Sequence, residues 1–264
     1  MKKAIFFDLD DTLLNDRKSI QTAFDLTCKE LEQKYGIDHQ LIEDSVRAVA
    51  REQYKSYSFY PVTVKIGINP FEGLWGNFGD VTHHQFREMG ASILDYQLQS
   101  WKKGLESVNI QGAEEWARDR FREARRSSPF LYEETPDVLN QLQAQGYRLL
   151  LLTNGAPSLQ LEKLTMTPEL VPYFEHIVIS GNIGFGKPDP IIFKHALRLM
   201  DLSPQDVIMV GDNLSTDILG ATLTGMDSVW IDHGDGKEVE GAKPTYVIKH
   251  LRELPEIVLP LEKA

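Results

Sequence analysis

The sequence predicts an α/β protein: a doubly wound parallel sheet, interrupted near its start by a mostly helical insert. Three observations predict it. Short apolar runs at 5–7, 147–153 and 207–210 lack the polar alternation of a half-exposed strand, so they read as strands covered on both faces. After residue 131, helix signals separate each run from the next, the pattern of β-α-β units. Between 19 and 126, by contrast, helical spacing dominates. The division that follows is residues 1–15 with 131–264 as one α/β domain, and 16–130 as a helical domain inserted within it.

The first strand runs into Ile5-Phe6-Phe7-Asp8-Leu9-Asp10-Asp11-Thr12. In the insert, Ala23, Phe24, Leu31 and Tyr35 mark one helix that Gly36 ends. Further helical patterns cover 40–54, 83–101 and 113–126. Val62, Val64, Ile66 and Ile68 alternate with polar residues, so 62–69 reads as a short edge strand or extended loop bounded by Pro61 and Pro70. Pro70 to Gly76 reads as a compact loop carrying Phe71 and Trp75. Beyond the insert, Thr135-Pro136 opens a helix that Gly146 stops. The 147–153 strand ends in Thr153-Asn154-Gly155, and a helix follows around Ser158. A strand at 176–180, a helix opened by Asp189-Pro190 and the 207–210 strand come next. A helix reaching Gly225 and strands at 229–231 and 246–248 complete the set.

The chain has 264 residues, 42% of them apolar and 25% charged, which is ordinary globular composition. Its formal charge of −11 excludes a nucleic-acid backbone as a general partner. The insert carries a net −1 and the remainder −10, a contrast that supports the division. One cysteine, Cys28, forms no internal disulfide and sits in a helical pattern as a small core or semi-exposed residue. Lys2 and Lys3 precede too few apolar residues for a signal-peptide core, and no apolar run is long enough for a membrane span. The expectation is a cytoplasmic protein with no membrane partner. Oligomeric state is not legible.

In doubly wound sheets, ligands bind outside the carboxyl ends of the strands. The first strand offers Asp8, Asp10 and Thr12 there, and the second offers Thr153 and Asn154. The third is followed by Gly181 to Asp189 with Lys187, and the fourth by Gly211-Asp212-Asn213 and then Asp217. Two nearby carboxylates at 8 and 10 call for a cation between them or a shared proton. Carboxylates, a hydroxyl, an amide and a lysine on one rim suit phosphoryl transfer. A carboxylate nucleophile, an oxygen-ligated Mg²⁺ and cationic or hydroxyl donors on the phosphoryl oxygens are its working parts. Blander readings stand beside this one: turn formers at 153–154, a solvated loop lysine at 187, and a first-turn acid at 217. Gly181 to Lys187 matches the start of a nucleotide P-loop, but Pro188 stands where Ser or Thr belongs, which excludes that reading.

These four ordered segments resemble the haloacid dehalogenase-like hydrolase superfamily, which carries a helical cap where this chain has its insert. The resemblance implies a Rossmann-like core. It implies Asp8 as a nucleophile forming an aspartyl-phosphate and Asp10 as general acid, then base. Thr153, Asn154 and Lys187 are implied as phosphate-binding groups. Asp8, Asp212 and the Asp10 backbone carbonyl are implied as Mg²⁺ ligands, with Asp217 and Asn213 in support. Possession of Asp10 favours phosphate-ester chemistry over dehalogenation. The expected function is Mg²⁺-dependent hydrolysis of a small phosphorylated metabolite: phosphoserine, a nucleoside monophosphate, or a sugar or sugar-acid phosphate. A sugar phosphomutase and a non-catalytic phosphate-binding module remain alternatives.

Within the insert, Trp101 and Trp116 read as packing residues, and Phe71 and Trp75 as candidates for a substrate-facing loop. Arg118, Arg122, Arg125 and Arg126 read as a solvated helix face paired with neighbouring acids, with substrate-carboxylate binding as the sharper alternative. His83 and His84 lack ligand spacing and are assigned no role.

Overall fold

A computed structural model describes residues 2–81, 84–234 and 236–258. Its described residues contain one six-stranded sheet: β1 (Ala4–Phe7), β2 (Arg148–Thr153), β3 (His176–Ile179), β4 (Val207–Gly211), β5 (Asp227–Ile231) and β6 (Tyr246–Ile248). All neighbours pair in parallel, in the order β3-β2-β1-β4-β5-β6. The chain first moves outward from β1 to β2 and β3, then returns to β4 on the other side. The order therefore reverses beside β1, where doubly wound sheets open a crevice. Register places Phe7 opposite Leu151 on one side and Val210 on the other, so β2 runs two residues and β4 one residue beyond the end of β1.

The absence of polar alternation has the expected cause. Ala4, Phe6, Leu150, Leu152, Val207 and Met209 share one face and pack with Ile192, Phe193, Ala196 and Met200. Their alternates Ile5, Phe7, Leu149, Leu151, Ile208 and Val210 are equally buried.

Two compact units divide the chain: 1–15 with 131–154 and 167–264, and 16–130 with 155–166. The second is helical: α1 (Asp16–Tyr35), α2 (His39–Ser56), α3 (Tyr60–Ile66), α4 (Pro70–Gly73), α5 (His84–Ser107) and α6 (Glu114–Arg126). After α7 (Thr135–Ala144) in the sheet-bearing unit, α8 (Pro157–Met166) packs with the helical one. The sequence division leaves 155–166 with the sheet. Instead Ala156 and Leu159 enter the helical core, Ser158 binds Asp80, and Lys163 pairs with Glu72 at 2.9 Å. In the sheet-bearing unit, α9 (Ser180–Ile183), α10 (Pro190–Met200), α11 (Leu219–Thr224) and α12 (Leu254–Val258) follow. Among the described residues no helix is long and apolar enough to cross a membrane.

Several local expectations change. Residues 60–66 are helix α3, not an edge strand. Pro61 fits the first helical turn, Thr63 and Ile66 are buried three apart, and Gly67 closes the helix at φ 78°. Residues 70–73 form a helical turn capped reciprocally by Asn69 and Glu72. Trp75 is fully buried in the helical core rather than presented on a loop, while Phe71 is partly buried with Arg47 and Arg51 over its ring. Trp101 is core as expected, but Trp116 is exposed. Arg118 does pair with Asp119 on the surface. Arg125 does not belong to that face: it is 2% exposed and holds Asp16 at 2.7 Å. Although burial pushes the Asp16 carboxyl up, Lys163 and Arg125 pull it below the usual range. Arg126 reaches Glu162 on α8, and Arg122 reaches the Trp75 carbonyl. Cys28 is buried, and burial pushes its thiol pKa up. The helix expected from His83 begins at His84, and His83 itself lies outside the described residues.

Helices α2 and α5 meet where Gly104 lies against Val46. A β-carbon at Gly104 would stand 2.7 Å from the Val46 Cγ2 and 2.8 Å from its Cα. Backbone cannot be moved aside by a rotamer change. Gly104→Ala should therefore lower stability by about 1–2 kcal/mol despite the better helix propensity of alanine, read from urea unfolding midpoints.

Candidate active site

Strand β1 stops at Phe7, and the backbone turns soon after. The Leu9 carbonyl accepts from the amides of Leu13 and Leu14, and Asp11 takes a left-handed φ of 58°. The turn itself is at 11–13, so Asp8 is still tied to the sheet while Asp10 stands where the chain leaves it. Asp8 keeps its strand-like tie, its amide donating to Val210 at 3.0 Å. Its carboxylate is 12% exposed, while Asp10 is half-buried.

The charge that answers Asp8 comes from Lys187. Its Nζ lies 2.6 Å from Asp8 Oδ1, 2.7 Å from Asp217 Oδ1 and 2.7 Å from the Leu152 carbonyl. Asn154 fixes the lysine's backbone on both sides: its Oδ1 accepts from the Lys187 amide at 2.8 Å, and its Nδ2 donates to the Lys187 carbonyl at 3.0 Å. Lys187 is 4% exposed, which removes the solvated-loop reading. Thr153, the last residue of β2, is fully buried beside Asn154.

Asp217 is fully buried in a π-helical turn, Leu214–Ile218. Gly211 makes room for it, since a β-carbon there would stand 2.3 Å from the Asp217 Cγ. Its Oδ2 accepts from the Asn213 amide at 3.1 Å, and Asn213 caps the turn by accepting from Ser215. Asp217 does stand in the first turn, but buried and paired with Lys187 rather than only facing the helix dipole. Asp212 stands at the end of β4. Its amide donates to Thr12 Oγ1 at 3.1 Å, and Trp230 Nε1 donates to its carbonyl at 2.8 Å. Thr12 therefore ties the first and fourth strand ends together. Trp230 carries no sequence signal for its part.

Carboxylate oxygens of Asp8, Asp212 and Asp217 lie within 4.8 Å of one another. With Lys187 the group has a formal charge of −2 when every member is ionised. Burial pushes the Asp8 carboxyl up, the Lys187 ammonium pulls it down, and Asp217 pushes it up again; the outcome is a pKa raised to about 6. Burial opposes the charged form of Lys187, but Asp217 and Asp8 outweigh it and push its pKa up to about 12. In metal-free protein the Asp8 carboxyl should therefore titrate near pH 6, charged above and neutral below. Carboxyl ¹³C shifts measured across that range check it.

Fold and rim together place the chain among α/β hydrolases that gather their polar groups at the carboxyl edge of a parallel sheet. The chain belongs to the haloacid dehalogenase-like hydrolase family, whose model matches residues 2–225. It is 34% identical to the phosphoserine phosphatase of Thermus thermophilus over 256 residues, 96% of this chain and 97% of that protein. It is 29% identical to the glyceraldehyde 3-phosphate phosphatase of Pyrococcus furiosus, covering 99% and 93% of the two chains. It is 27% identical to the rat N-acylneuraminate-9-phosphatase, covering 98% and 95%. In line with these relatives, it is a phosphatase of the family. A solved hydrolase of the family from Bacillus subtilis, YfnB, shares the fold at a TM-score of 0.67 and 21% identity, over 98% of this chain and 99% of that one.

Proposed function

We propose that the chain hydrolyses a small soluble phosphomonoester with Mg²⁺, through a phosphoryl group held transiently on Asp8. The observation that carries this is the arrangement of Asp8: a buried carboxylate at a strand end, 2.6 Å from a buried lysine and grouped with two further carboxylates. Asp8 Oδ attacks phosphorus, forming an acyl-phosphate bond as the bond to the leaving oxygen breaks. Asp10 gives its proton to that oxygen, then takes one from the water whose oxygen displaces Asp8 from phosphorus. Lys187, the Thr153 hydroxyl and Asn154 hold the phosphoryl oxygens, where negative charge concentrates in the transition state.

The donor set fits Mg²⁺. The clustered atoms are hard oxygens, and their formal charge of −2 with Lys187 matches a divalent cation. Asp8, Asp212 and the Asp10 carbonyl would hold it, with Asp217 and Asn213 in support. Once bound, it neutralises phosphate charge that would otherwise repel the attacking carboxylate.

Phosphoserine heads the substrate candidates, since the relative at 34% identity bears that name, followed by glyceraldehyde 3-phosphate and N-acylneuraminate 9-phosphate. Nucleoside monophosphates and other sugar phosphates complete the panel. In our reading the inserted helices, 16–130, are the cap domain of the family and choose among leaving groups.

Purified protein should release phosphate from p-nitrophenyl phosphate with Mg²⁺ and lose that activity in EDTA. Among the panel, at least one metabolite should exceed the aryl phosphate in kcat/KM by about 10²-fold. Activity that survives chelation would refute the metal requirement. Phosphate returned to the sugar instead of released would point to mutase chemistry.

A further inference from the structure

A cavity of about 570 Å³ opens in the sheet-bearing unit beside the loops that follow β5 and β6. It lies within the size range of small-molecule sites, and Asp8, Asp212 and Asp217 are not among its lining residues. Tyr132 and His233 line one part, their rings stacked at 5.7 Å and 12°. Lys249, His250 and Arg252 line another. Lys249 is answered by Asp232, and His250 caps the turn that begins at Leu251. Arg252 is exposed and has no ion pair among the described residues. With Asp232 and Glu134 against Lys249 and Arg252 the lining has no net formal charge, and Arg252 is its cation without an ion pair among the described residues.

Two lining residues reach the loops that carry the rim carboxylates. His233 Nε2 donates to the Asp11 carbonyl at 2.8 Å, which fixes the imidazole tautomer and leaves Nδ1 as its second polar atom. Asp11 is the residue held at a left-handed φ of 58°, a conformation that needs such support. Thr12, also in the lining, accepts from the Asp212 amide.

We propose that this cavity is a second binding site, for a small organic anion bearing a carboxylate or phosphate, and that its occupancy is felt at Asp11 through His233. Arg252 supplies the charge-assisted anchor, Lys249 the neighbouring cation, and the Tyr132–His233 pair an aromatic wall for the body of the ligand. The ligand body, seated against the Tyr132–His233 pair, shifts the imidazole and so alters its hold on the Asp11 carbonyl. The effect on turnover rests on Asp8 as nucleophile; binding does not.

Succinate and sulfate are the probes, a dicarboxylate and a tetrahedral oxyanion, titrated into the full ¹⁵N-labelled chain. Shifts should centre on the amides of Gly234, Lys249 and Leu251, and the probe that binds more tightly identifies the anion class. Arg252→Ala should weaken binding about tenfold or more. As an exposed residue without an ion pair, its loss should leave the melting temperature in place. Saturating probe should change kcat for p-nitrophenyl phosphate by about twofold or more in the wild type, and not in His233→Ala, whose weaker site is saturated by raising the probe concentration. The site is overturned if neither probe moves those amides at tens of millimolar, or if Arg252→Ala binds unchanged. Binding without any change in kcat overturns the coupling. Binding is read without turnover, so an inactive protein that binds leaves the cavity standing and counts against Asp8 alone.

Discussion

Asp8→Asn is expected to lower kcat for p-nitrophenyl phosphate by about 10⁴-fold or more, because an amide oxygen cannot form the acyl-phosphate bond. The same substitution should not destabilise the protein at neutral pH. Asp8 has its pKa raised from 3.8 to about 6 in the fold. A carboxyl so shifted contributes stability that is fully present below the unfolded value and lost as pH rises through the folded one. At pH 7 the ionised carboxylate is therefore a cost to folding, and asparagine removes it while its Oδ1 still accepts from Lys187. Metal-free Asp8→Asn should melt no lower than the wild type at pH 7.5, and relatively less well near pH 4. Loss of activity with loss of folding would instead make Asp8 a structural residue. Full activity would remove it from the chemistry.

The sheet was legible because each central strand is buried on both faces, which leaves a contiguous apolar run in the sequence. The strand at 62–69 was misread because alternation over so few residues matches two periods at once. Only packing, which buries Thr63 and Ile66 together, selects the helix. Trp75 was misread for a related reason. Glycines flanking an aromatic suggest a loop, yet Gly76 is small because a β-carbon would stand 2.7 Å from the Phe78 ring. Arg125 shows the limit of helix-face arguments: residues spaced by three and four share a side, but nothing local says which of them meets Asp16, 109 positions away.

At the rim, the positions could be read but not their depth. Strand ends advertise Asp8, Thr153 and Asp212 because a buried run stops there. Lys187 and Asp217 look in sequence like surface loop and first-turn residues, and become buried partners only through contacts across 30 residues. The Thr12–Asp212 tie joins residues 200 apart, and Trp230 reaches Asp212 from the next strand. Such bonds follow from the register of the sheet, which no short motif encodes.

Lys187→Met tests that buried network most severely. It removes the cation shared by Asp8 and Asp217, leaving two buried carboxylates without it. Breaking a buried pair from one side typically costs about 3–5 kcal/mol, so the urea midpoint should fall sharply at pH 7.5. Activity should fall about 10³-fold with it, since the ammonium also answers the phosphoryl oxygens in the proposed reaction. Three rescues separate electrostatics from lost packing. Without the lysine that pulls it down, the Asp8 carboxyl is pushed higher still, so lowering the pH should protonate it and recover part of the stability, the reverse of what a mere cavity would show. Mg²⁺ should raise the melting temperature of Lys187→Met, because a cation in the carboxylate group relieves the same repulsion. Finally, Lys187→Met with Asp8→Asn should be more stable than Lys187→Met alone, a positive coupling between residues in contact. If Asp8→Asn changes the stability of Lys187→Met no more than it changes that of the wild type, Lys187 holds the strand ends by packing and not by charge.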